Sequence, residues 1–529
     1  MSDRLPKKRV SSPMDILIYA AIPAIVFICL LSWRPFFLGF YHDDWYNILR
    51  PLSYSERDEF INQITRPLYW AGTAFLRRTI FDSPVAWHTV LAALVTLNAV
   101  AIGAVGHRLA ALISDDRDTA RWSMALCASV WLALPWALGL TVWPTPTVGQ
   151  LAITCFCGVA LALLSEAPLR NRLYAGGGLF LLGQLINELF WFSFIPLLII
   201  NAAADRTRYG AVRWRHIGLL AGGFLALQAF PLVANRALHA FGIGINRSFN
   251  PNWFDTIFLS LRLLPQEVNR AVVYPQAFWA VLAVLFAAIV YGLATHRNRL
   301  LIFACLIAVI AGGVGSAIMF ALAGYRLESV GVFSRTMSTA SVWFSLLPAL
   351  VLGAVGSVGR LGRRAAILGL CALITILGIS AQDRLAEWVA SWERQKALLA
   401  FFPGEKLADT ASPNAFIVVY LPKQATAVEG FEAFWDMTGA LMNTFPRLQE
   451  RLAPEQVRYF ATAVRADRHH VKWDGAGMTT SWCAPAQGEL WRLPAEGELY
   501  VWEAETGRLH RYDQSVDFGC GVPPPKSGS

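Results

Sequence analysis

A series of long apolar runs is the feature that most constrains how this chain can fold. Only 15% of its 529 residues are charged and 55% are hydrophobic, whereas about a quarter of the residues in an ordinary soluble protein are charged. About eleven runs approach or reach the length needed to cross a bilayer as a helix. The chain is therefore predicted to be a multi-pass α-helical membrane protein. The runs are Ile16 to Leu31, Val85 to Ile113, Trp122 to Leu140, Val148 to Leu164, Leu173 to Ile186, Leu189 to Ala203, Ile217 to Val233, Ala277 to Ala294, Leu300 to Leu322, Thr336 to Val355 and Ala365 to Ser380.

Basic residues between these runs predict the topology. Arginines cluster in alternate connections, whereas the connection Thr141 to Thr147 contains no lysine or arginine. Because positive residues concentrate in cytoplasmic loops, we place the N terminus and the arginine-rich connections in the cytoplasm. The loop after the first run, the loop Gly324 to Arg335 and the C-terminal part then share the outer face. The arginine clusters lie near residues 108–121, 170–172, 206–215, 297–299 and 360–364.

A shorter apolar stretch, Pro67 to Phe81, belongs to the first outer loop, which covers residues 33–87. It is about 15 residues long and contains Arg77 and Arg78, so it is too short and too charged to span a bilayer of about 30 Å. We predict an interfacial helix here. If this stretch crossed the membrane, every later loop would change sides and the basic residues would contradict the topology.

The composition becomes that of a soluble protein after residue 381. Residues 382–529 carry 15 Lys and Arg against 19 Asp and Glu, so the overall charge of +9 comes from the membrane part and does not indicate nucleic-acid binding. We predict a membrane domain over 1–381, a small α+β domain over 382–520 and a disordered tail over 521–529. The expected elements are a buried strand at Ala415 to Leu421, helices at Phe431 to Met442 and Pro454 to Ala466, and a hairpin from Leu499 to Tyr512 that turns at Glu505-Thr506-Gly507.

Two of the eight cysteines, Cys483 and Cys520, lie in the soluble part. They form one disulfide if that part faces an oxidising compartment, and the alternative is two unpaired thiols. The other six cysteines lie in apolar runs, where a small hydrophobic side chain is their expected role.

Two adjacent carboxylates, Asp43-Asp44, follow the first apolar run directly. Acidic residues at a bilayer surface need water or a partner, so the pair is a candidate functional site. A carboxylate near a region of low dielectric can act as a general base, and the neighbouring His42 could tune the pair or bind phosphate. The alternative is that the pair caps a following helix, Trp45 to Leu49.

Four other charged residues are candidate partners of the acid pair. Arg66, Arg326 and Arg335 are predicted on the same face, and arginine suits bidentate recognition of phosphate. Arg335 could instead be a snorkelling anchor at the start of its span. Glu188 lies in the turn between two short runs, where acidic residues are seldom without a function, with a structural hydrogen bond as the alternative.

The order of these features resembles the GT-C superfamily of integral-membrane glycosyltransferases, including its protein-mannosyltransferase-like and aminoarabinose-transferase-like members. The residues that carry the resemblance are Asp43-Asp44, Thr65-Arg66-Pro67-Leu68, and Asn187-Glu188 followed by Pro196. The pair is Asp-Asp where many members have Asp-Glu or Asp-x-Asp, which leaves open which aspartate is the base, and Asn187 stands where lysine is frequent.

The resemblance implies an inverting glycosyltransferase at the periplasmic face of a bacterial inner membrane. Its donor would be a sugar linked to a polyprenyl-phosphate-type lipid, and its acceptor a cell-envelope glycan or glycolipid. We predict no cofactor, and no Asp-x-Asp motif at the acid pair supports a metal.

Three alternatives remain open from the sequence. A transporter or flippase would place paired charges near the membrane midplane, a polymerase or ligase of lipid-linked glycans could work through arginines alone, and an envelope scaffold would need no catalytic residue.

Overall fold

The protein combines a long helical part with two small β-sheets near the C terminus. The structure is a computed structural model that describes residues 13–41, 43–48, 66–80, 82–187, 190, 193–240, 250–355, 359–422, 431, 434–452, 459–475, 477–483, 489–494 and 498–525. The helices up to the first sheet are α1 (Pro13–Leu30), α2 (Arg34–Phe37), α3 (Asp44–Asn47), α4 (Pro67–Ile80), α5 (Pro84–Ile113), α6 (Arg117–Ala133), α7 (Leu138–Thr141), α8 (Gln150–Leu163), α9 (Leu169–Ile186), α10 (Phe194–Tyr209), α11 (Trp214–Ala240), α12 (Trp253–Ala271), α13 (Pro275–Thr295), α14 (Arg299–Leu322), α15 (Ser338–Phe344), α16 (Leu347–Val355), α17 (Arg360–Phe401) and α18 (Gly404–Thr410). Short 3₁₀ helices at Pro135–Ala137 and Val332–Met337 precede α7 and α15.

Helices cover most of each of the eleven predicted apolar runs, and the run Leu189 to Ala203 begins partly outside the described residues. Among the described residues, six helical segments are long and apolar enough to cross a membrane, and a seventh arises if α6 and the helix after its 63° bend form one span. The other four runs correspond to α8, α9, α10 and α11, which are shorter or more polar. The predicted multi-pass helical fold is thus confirmed, and the short helix α4 lies where an interfacial helix was expected.

Small residues allow neighbouring helices to approach closely. A β-carbon on Gly106 of α5 would lie 2.5 Å from Sγ of Cys127 on α6, and one on Gly103 would lie 2.8 Å from the carbonyl oxygen of Met124. Such contacts let backbones pack tightly, which is the usual way in which helices associate within a bilayer. Helices α5 and α6 therefore form a closely packed pair within the helical core.

The arginine-rich connections gather at one end of the helical part. Glu166 forms ion pairs with Arg108 at 3.3 Å and with Arg208 at 3.1 Å, and Arg363 pairs with Asp116. The acid pair lies at the opposite end, beside the N-terminal turn of α5. The fold therefore separates the two groups of loops as the positive-inside pattern predicts.

Helix α17 joins the helical part to the sheets. It has 42 residues, so at 1.5 Å per residue it is about 60 Å long, roughly twice the thickness of the hydrocarbon core. The apolar run predicted at Ala365 to Ser380 is its membrane segment, and the helix continues to Phe401 without a break. Its last turns lead directly into the part of the chain that contains the sheets.

The C-terminal part contains two four-stranded sheets. In the first, β1 pairs in parallel with β2 and β6, and β6 and β7 form the predicted hairpin, with Gly507 at φ 70° in the turn. The second is antiparallel in the order β5-β4-β3-β8. Two helices, α19 (Phe434–Thr444) and α20 (Pro446–Leu452), lie between β1 and β2 in sequence. The strands are β1 (Phe416–Leu421), β2 (Ala461–Arg465), β3 (His469–Trp473), β4 (Gly477–Trp482), β5 (Glu489–Pro494), β6 (Leu499–Glu503), β7 (Arg508–Tyr512) and β8 (Val516–Gly519).

One predicted helix in this part is wrong. Residues 454–466 were expected to be helical, but their last described portion is strand β2, which is buried throughout and pairs with β1. The alanine-rich segment suggested a helix, and burial beside β1 overrides that local preference.

The predicted disulfide between Cys483 and Cys520 is present. The cysteines follow β4 and β8, the two strands that flank β3, so the bond ties both neighbours of one strand together. Beyond it, Tyr420 donates a hydrogen bond to the carbonyl oxygen of Val522, and Tyr512 donates to that of Pro525. This ordered stretch departs from the predicted disordered tail, whose last four residues, 526–529, lie outside the described part.

Candidate active site

Asp44 joins two loops at one end of the helical part. One carboxylate oxygen accepts hydrogen bonds from the backbone N–H of Thr145 at 2.7 Å and from its hydroxyl at 2.6 Å, and the other accepts from the backbone N–H of Tyr41 at 2.8 Å. The side chain is fully buried. Asp43 stands at the N-cap position of α3 and Asp44 in its first turn, but the Asp43 side chain makes no capping hydrogen bond, and the Asp44 carboxylate bonds to Tyr41 and Thr145 instead.

The electrostatic state of Asp44 follows from its burial. Burial raises the pKa of this carboxyl well above its usual range, the hydrogen bonds from Thr145 and Tyr41 lower it, and the neighbouring charge of Asp43 raises it again. Two adjacent carboxylates resist carrying two negative charges, so the charge of Asp43 acts in the same direction as burial on the pKa of Asp44.

Asp43 has different surroundings. It is only half-buried, and one of its carboxylate oxygens accepts a hydrogen bond of 2.7 Å from the indole N–H of Trp435. Trp435 lies in the first turn of α19, in the C-terminal part of the chain. Asp43 thus lies between the helical part and the sheet-bearing part, where a bound molecule can reach it.

Tyr69 of α4 lies among the charges of the site. Its hydroxyl donates to the carbonyl oxygen of Thr145 at 2.8 Å. Burial raises the pKa of Tyr69 to about 12, while Arg66 and Arg335 lower it and the two aspartates raise it. Two acids and two cations therefore lie within electrostatic reach of one hydroxyl, and Arg66 directly precedes the first residue of α4.

Arg335 is held by aromatic rings. Its guanidinium carbon lies 4.7 Å from the ring centroid of Trp143, 5.4 Å from that of Phe333 and 5.9 Å from that of Tyr325. Within the described residues, no carboxylate pairs with it. Its cationic group is held mainly through ring faces, which leaves its N–H donors available for an anion.

A glycine brings the segment of Arg335 close to the bent span. The backbone N–H of Gly139 donates to the hydroxyl of Ser334 at 2.7 Å. A β-carbon on Gly139 would lie 2.6 Å from the carbonyl oxygen of Val332 and 2.9 Å from the backbone nitrogen of Arg335. Only a glycine allows this approach, so the bend after α6 sets the position of Arg335.

The acid-pair loop is fixed to helix α17 by aromatic contacts. The hydroxyl of Tyr41 donates to the carbonyl oxygen of Trp388 at 2.9 Å, and the indole N–H of Trp45 donates to Gln395 at 2.7 Å. Gly39 lies so close to Trp392 that a β-carbon would fall 1.9 Å from its ring. The loop is thus held rigidly on both sides of Asp43 and Asp44.

The other predicted site residues have mixed outcomes. Arg326 is exposed on the loop before Arg335 and pairs with Glu328 at 3.2 Å. His42 and Glu188 lie outside the described residues. The residue before Glu188, Asn187, approaches the loop of Thr145, because its amide nitrogen is 3.3 Å from the position of a β-carbon on Gly149.

None of four residues at the site was predicted as a site residue. Thr145, Trp143 and Trp435 contact the acid pair or Arg335, and Tyr69 bonds to Thr145. One signal was present for the loop between α7 and α8, because its sequence Trp143-Pro144-Thr145-Pro146-Thr147 combines a tryptophan, two prolines and hydroxyls in a predicted outer connection. No local signal marked Trp435, which reaches Asp43 across 392 positions of sequence.

A metal centre finds no support among the side chains that the structure describes. In those ranges, no three histidine, cysteine, aspartate or glutamate side chains converge as metal ligands would.

The fold and site define a multi-pass membrane protein whose C-terminal α/β part covers a charged site at one end of a helical bundle. No family model matches the chain, and no curated protein matches it. Among solved structures it is similar to ArnT from Cupriavidus metallidurans, which was crystallised with bound undecaprenyl phosphate. The identity is 11%, the TM-score is 0.42, and the match covers 86% of this chain and 90% of that one. ArnT is a GT-C aminoarabinose transferase, the type of protein that the sequence resembles, but so distant a likeness assigns no activity to this chain.

Proposed function

We propose that this protein is an inverting glycosyltransferase that moves a sugar from a polyprenyl-phosphate-type lipid to a cell-envelope glycan or glycolipid. The observation that supports it most is the arrangement around Tyr69, where a reachable carboxylate, a buried carboxylate and two arginines share one end of the membrane domain. Transfer from a lipid phosphate needs a base for the acceptor and cations for the leaving group, and both are present.

Asp43 is the better candidate for the base. A general base must first lie within reach of the proton that it removes, and its pKa matters only after that. Asp44 is fully buried and both of its oxygens already accept hydrogen bonds from Tyr41 and Thr145, so it positions the loop. Asp43 is half-buried beside α19 and can meet a substrate.

Arg335 is the leading candidate for holding the donor phosphate. Its guanidinium has no carboxylate partner among the described residues, and three aromatic rings orient it. Arg66 adds a second cation within electrostatic reach of Tyr69. To serve the same role, Arg326 would have to leave Glu328, and His42 and Glu188 remain candidates from the sequence.

The proposed reaction is a single displacement. Asp43 accepts the proton of an acceptor hydroxyl while its oxygen attacks the anomeric carbon of the donor sugar. The bond between that carbon and the phosphate oxygen breaks, the electron pair stays on the phosphate, and the configuration inverts. The phosphate needs no proton to leave because cations stabilise its charge, which is the task of Arg335 and Arg66.

The location of the site follows the proposed topology. With the arginine-rich loops in the cytoplasm, Asp43 and the C-terminal sheets face the periplasm. A lipid donor in the outer leaflet can then present its head group at α4, the interfacial helix that carries Tyr69 and that Arg66 directly precedes, while its tail stays in the membrane.

The test is sugar transfer in membranes that contain Asp43→Asn, Asp44→Asn or both, at equal protein levels. We expect Asp43→Asn to lower the rate by about 10²- to 10⁴-fold, because general-base catalysis contributes about that much. Asp82, exposed in the turn after α4, gives the matched control, and Asp82→Asn should transfer normally. Normal transfer by the double variant would refute catalysis by the pair and favour an acid-independent polymerase or ligase.

A further inference from the structure

We propose that Trp435 is a positioning residue for Asp43, through which the C-terminal part of the chain completes the catalytic site. This inference rests on the proposed function, since it gives Asp43 the role of base. It assigns a role to a domain whose sequence contains no catalytic motif.

The first observation is the hydrogen bond itself. The indole N–H of Trp435 donates to a carboxylate oxygen of Asp43 at 2.7 Å in a partly buried setting. A hydrogen bond to a charged acceptor is stronger than one between neutral groups. Because a tryptophan N–H can only donate, it favours the charged, proton-accepting form of the carboxylate and fixes its orientation.

The second observation is that α19 is built onto the acid-pair loop. Trp45, which follows the pair, packs between Trp392 of α17 and Phe431, with both ring centroids at 5.9 Å. Trp45 also shares one hydrophobic core with Met437 and Leu441 of α19. The position of Trp435 is therefore fixed by a continuous core rather than by a surface contact.

These contacts have a chemical consequence. When α19 is packed in this core, the carboxylate of Asp43 is oriented and partly shielded from water. The base is therefore in position before the acceptor binds. Without the indole N–H, the carboxylate would keep its place in the sequence but lose its fixed direction and part of the preference for its charged form.

The experiment compares Trp435→Phe with Trp502→Phe in the full-length protein, with sugar transfer followed from pH 4 to 9. Trp502 lies in the same core against Phe402 and does not contact Asp43, so its variant reports general loosening of the domain. We expect Trp435→Phe to move the acidic limb of the kcat profile upward by roughly one pH unit, since loss of a donor favours the neutral acid. Among the described residues, Asp44 and Tyr69 interact electrostatically with Asp43, Arg66 and Arg335 act on the same Tyr69, and Asp436 follows Trp435 in α19; these groups are unchanged in both variants.

A uniform fall in kcat with an unmoved pH limb, or the same shift in both variants, would overturn the proposal. A second measurement does not depend on activity. In the ¹⁵N-tryptophan-labelled protein in nanodiscs, the indole signal that is lost in Trp435→Phe should move when Asp43→Asn is introduced. An unmoved signal would refute the contact even if Asp43→Asn abolishes transfer, whereas retained transfer by Asp43→Asn with a moved signal would confirm the contact and refute the role of Asp43 as the base.

Discussion

At the scale of single residues, two adjacent aspartates have different environments. Asp44 is buried and accepts three hydrogen bonds, whereas Asp43 is half-buried and contacts the C-terminal part. The sequence predicts that the pair is part of a functional site, because acidic residues beside a membrane span need water or a partner. It does not reveal which one is buried, because that depends on Thr145, a residue 101 positions away.

The first prediction concerns the hydrogen bonds of Asp44. Asp44→Ala removes the acceptor of three donors, one buried and two partly buried, and a buried donor left unpaired costs about 1–3 kcal/mol. We expect a clear loss of thermal stability in detergent and faster hydrogen exchange at the amides of Tyr41 and Thr145. Asp44→Asn keeps one acceptor oxygen and should lose less, and equal stability of wild type and Asp44→Ala would contradict this role.

The second prediction concerns pH. Burial raises the folded-state pKa of Asp44 above its ordinary value of 3.8, so between those two values the folded protein binds more protons than the unfolded one. The contribution of this titration to the free energy of unfolding is greatest below about pH 4, and it falls as the pH rises through the folded-state pKa of Asp44. The stability advantage of wild type over Asp44→Ala should therefore shrink with rising pH. An advantage that grows would show that the hydrogen bonds outweigh burial.

The third prediction separates two arginines. Arg335→Lys keeps the charge but loses the planar group that stacks on Trp143 and that is suited to bind a phosphate at two points. We expect the KM for the lipid donor to rise by about tenfold or more, as the loss of about 1.4 kcal/mol would produce. Arg326→Lys, in an exposed pair with Glu328, should change KM far less. A larger effect at Arg326 would reassign the phosphate ligand.

At the scale of elements, the positions of the helices could largely be predicted from the sequence, but the break after α6 could not. Runs of apolar residues predict helices because a bilayer requires internal hydrogen bonding. The bend of 63° after α6 carries Gly139 to the segment of Arg335, and periodicity alone does not show this. Strand β2 was mistaken for a helix because its partner β1 lies about 40 residues earlier in the chain.

The fourth prediction tests that bend. In Gly139→Ala the new β-carbon would lie 2.6 Å from the carbonyl oxygen of Val332, so the segment that bears Arg335 must move. A displacement of about 1 Å near a reacting centre can cost about 100-fold, and we expect transfer to fall by up to that factor while the protein still folds. Gly178→Ala is the control, since a β-carbon there meets nothing within 4 Å. Equal activity of the two variants would show that Arg335 does not depend on this contact.

At the scale of the whole molecule, the charged loops divide between two ends. Arg108, Arg208 and Arg363 form ion pairs at one end, and the acid pair and the sheets lie at the other. The positive-inside pattern predicted this division from the sequence, because it depends only on the order of spans and charges. It could not predict that the acid-pair loop and α19 share one core, which depends on side chains brought together from distant parts of the chain.

The fifth prediction tests the orientation. In a Cys29→Ser background, Glu505→Cys lies in the exposed β6–β7 turn and Arg297→Cys lies exposed in the connection between α13 and α14. A membrane-impermeant maleimide should label Glu505→Cys in intact spheroplasts and Arg297→Cys only after permeabilisation. The reverse pattern would place the acid pair in the cytoplasm.

The length of α17 has a mechanical consequence. The acid-pair loop is attached to this helix at Trp388, Trp392 and Gln395, and the core that holds α19 is attached a few residues further on, at Leu399 and Phe402. The acid-pair loop and the core that holds α19 are thus both attached to the C-terminal turns of the same helix. When the helix tilts to match a thinner or thicker bilayer, Asp43 and Trp435 move together. The hydrogen-bond geometry between them therefore does not depend on the thickness of the bilayer.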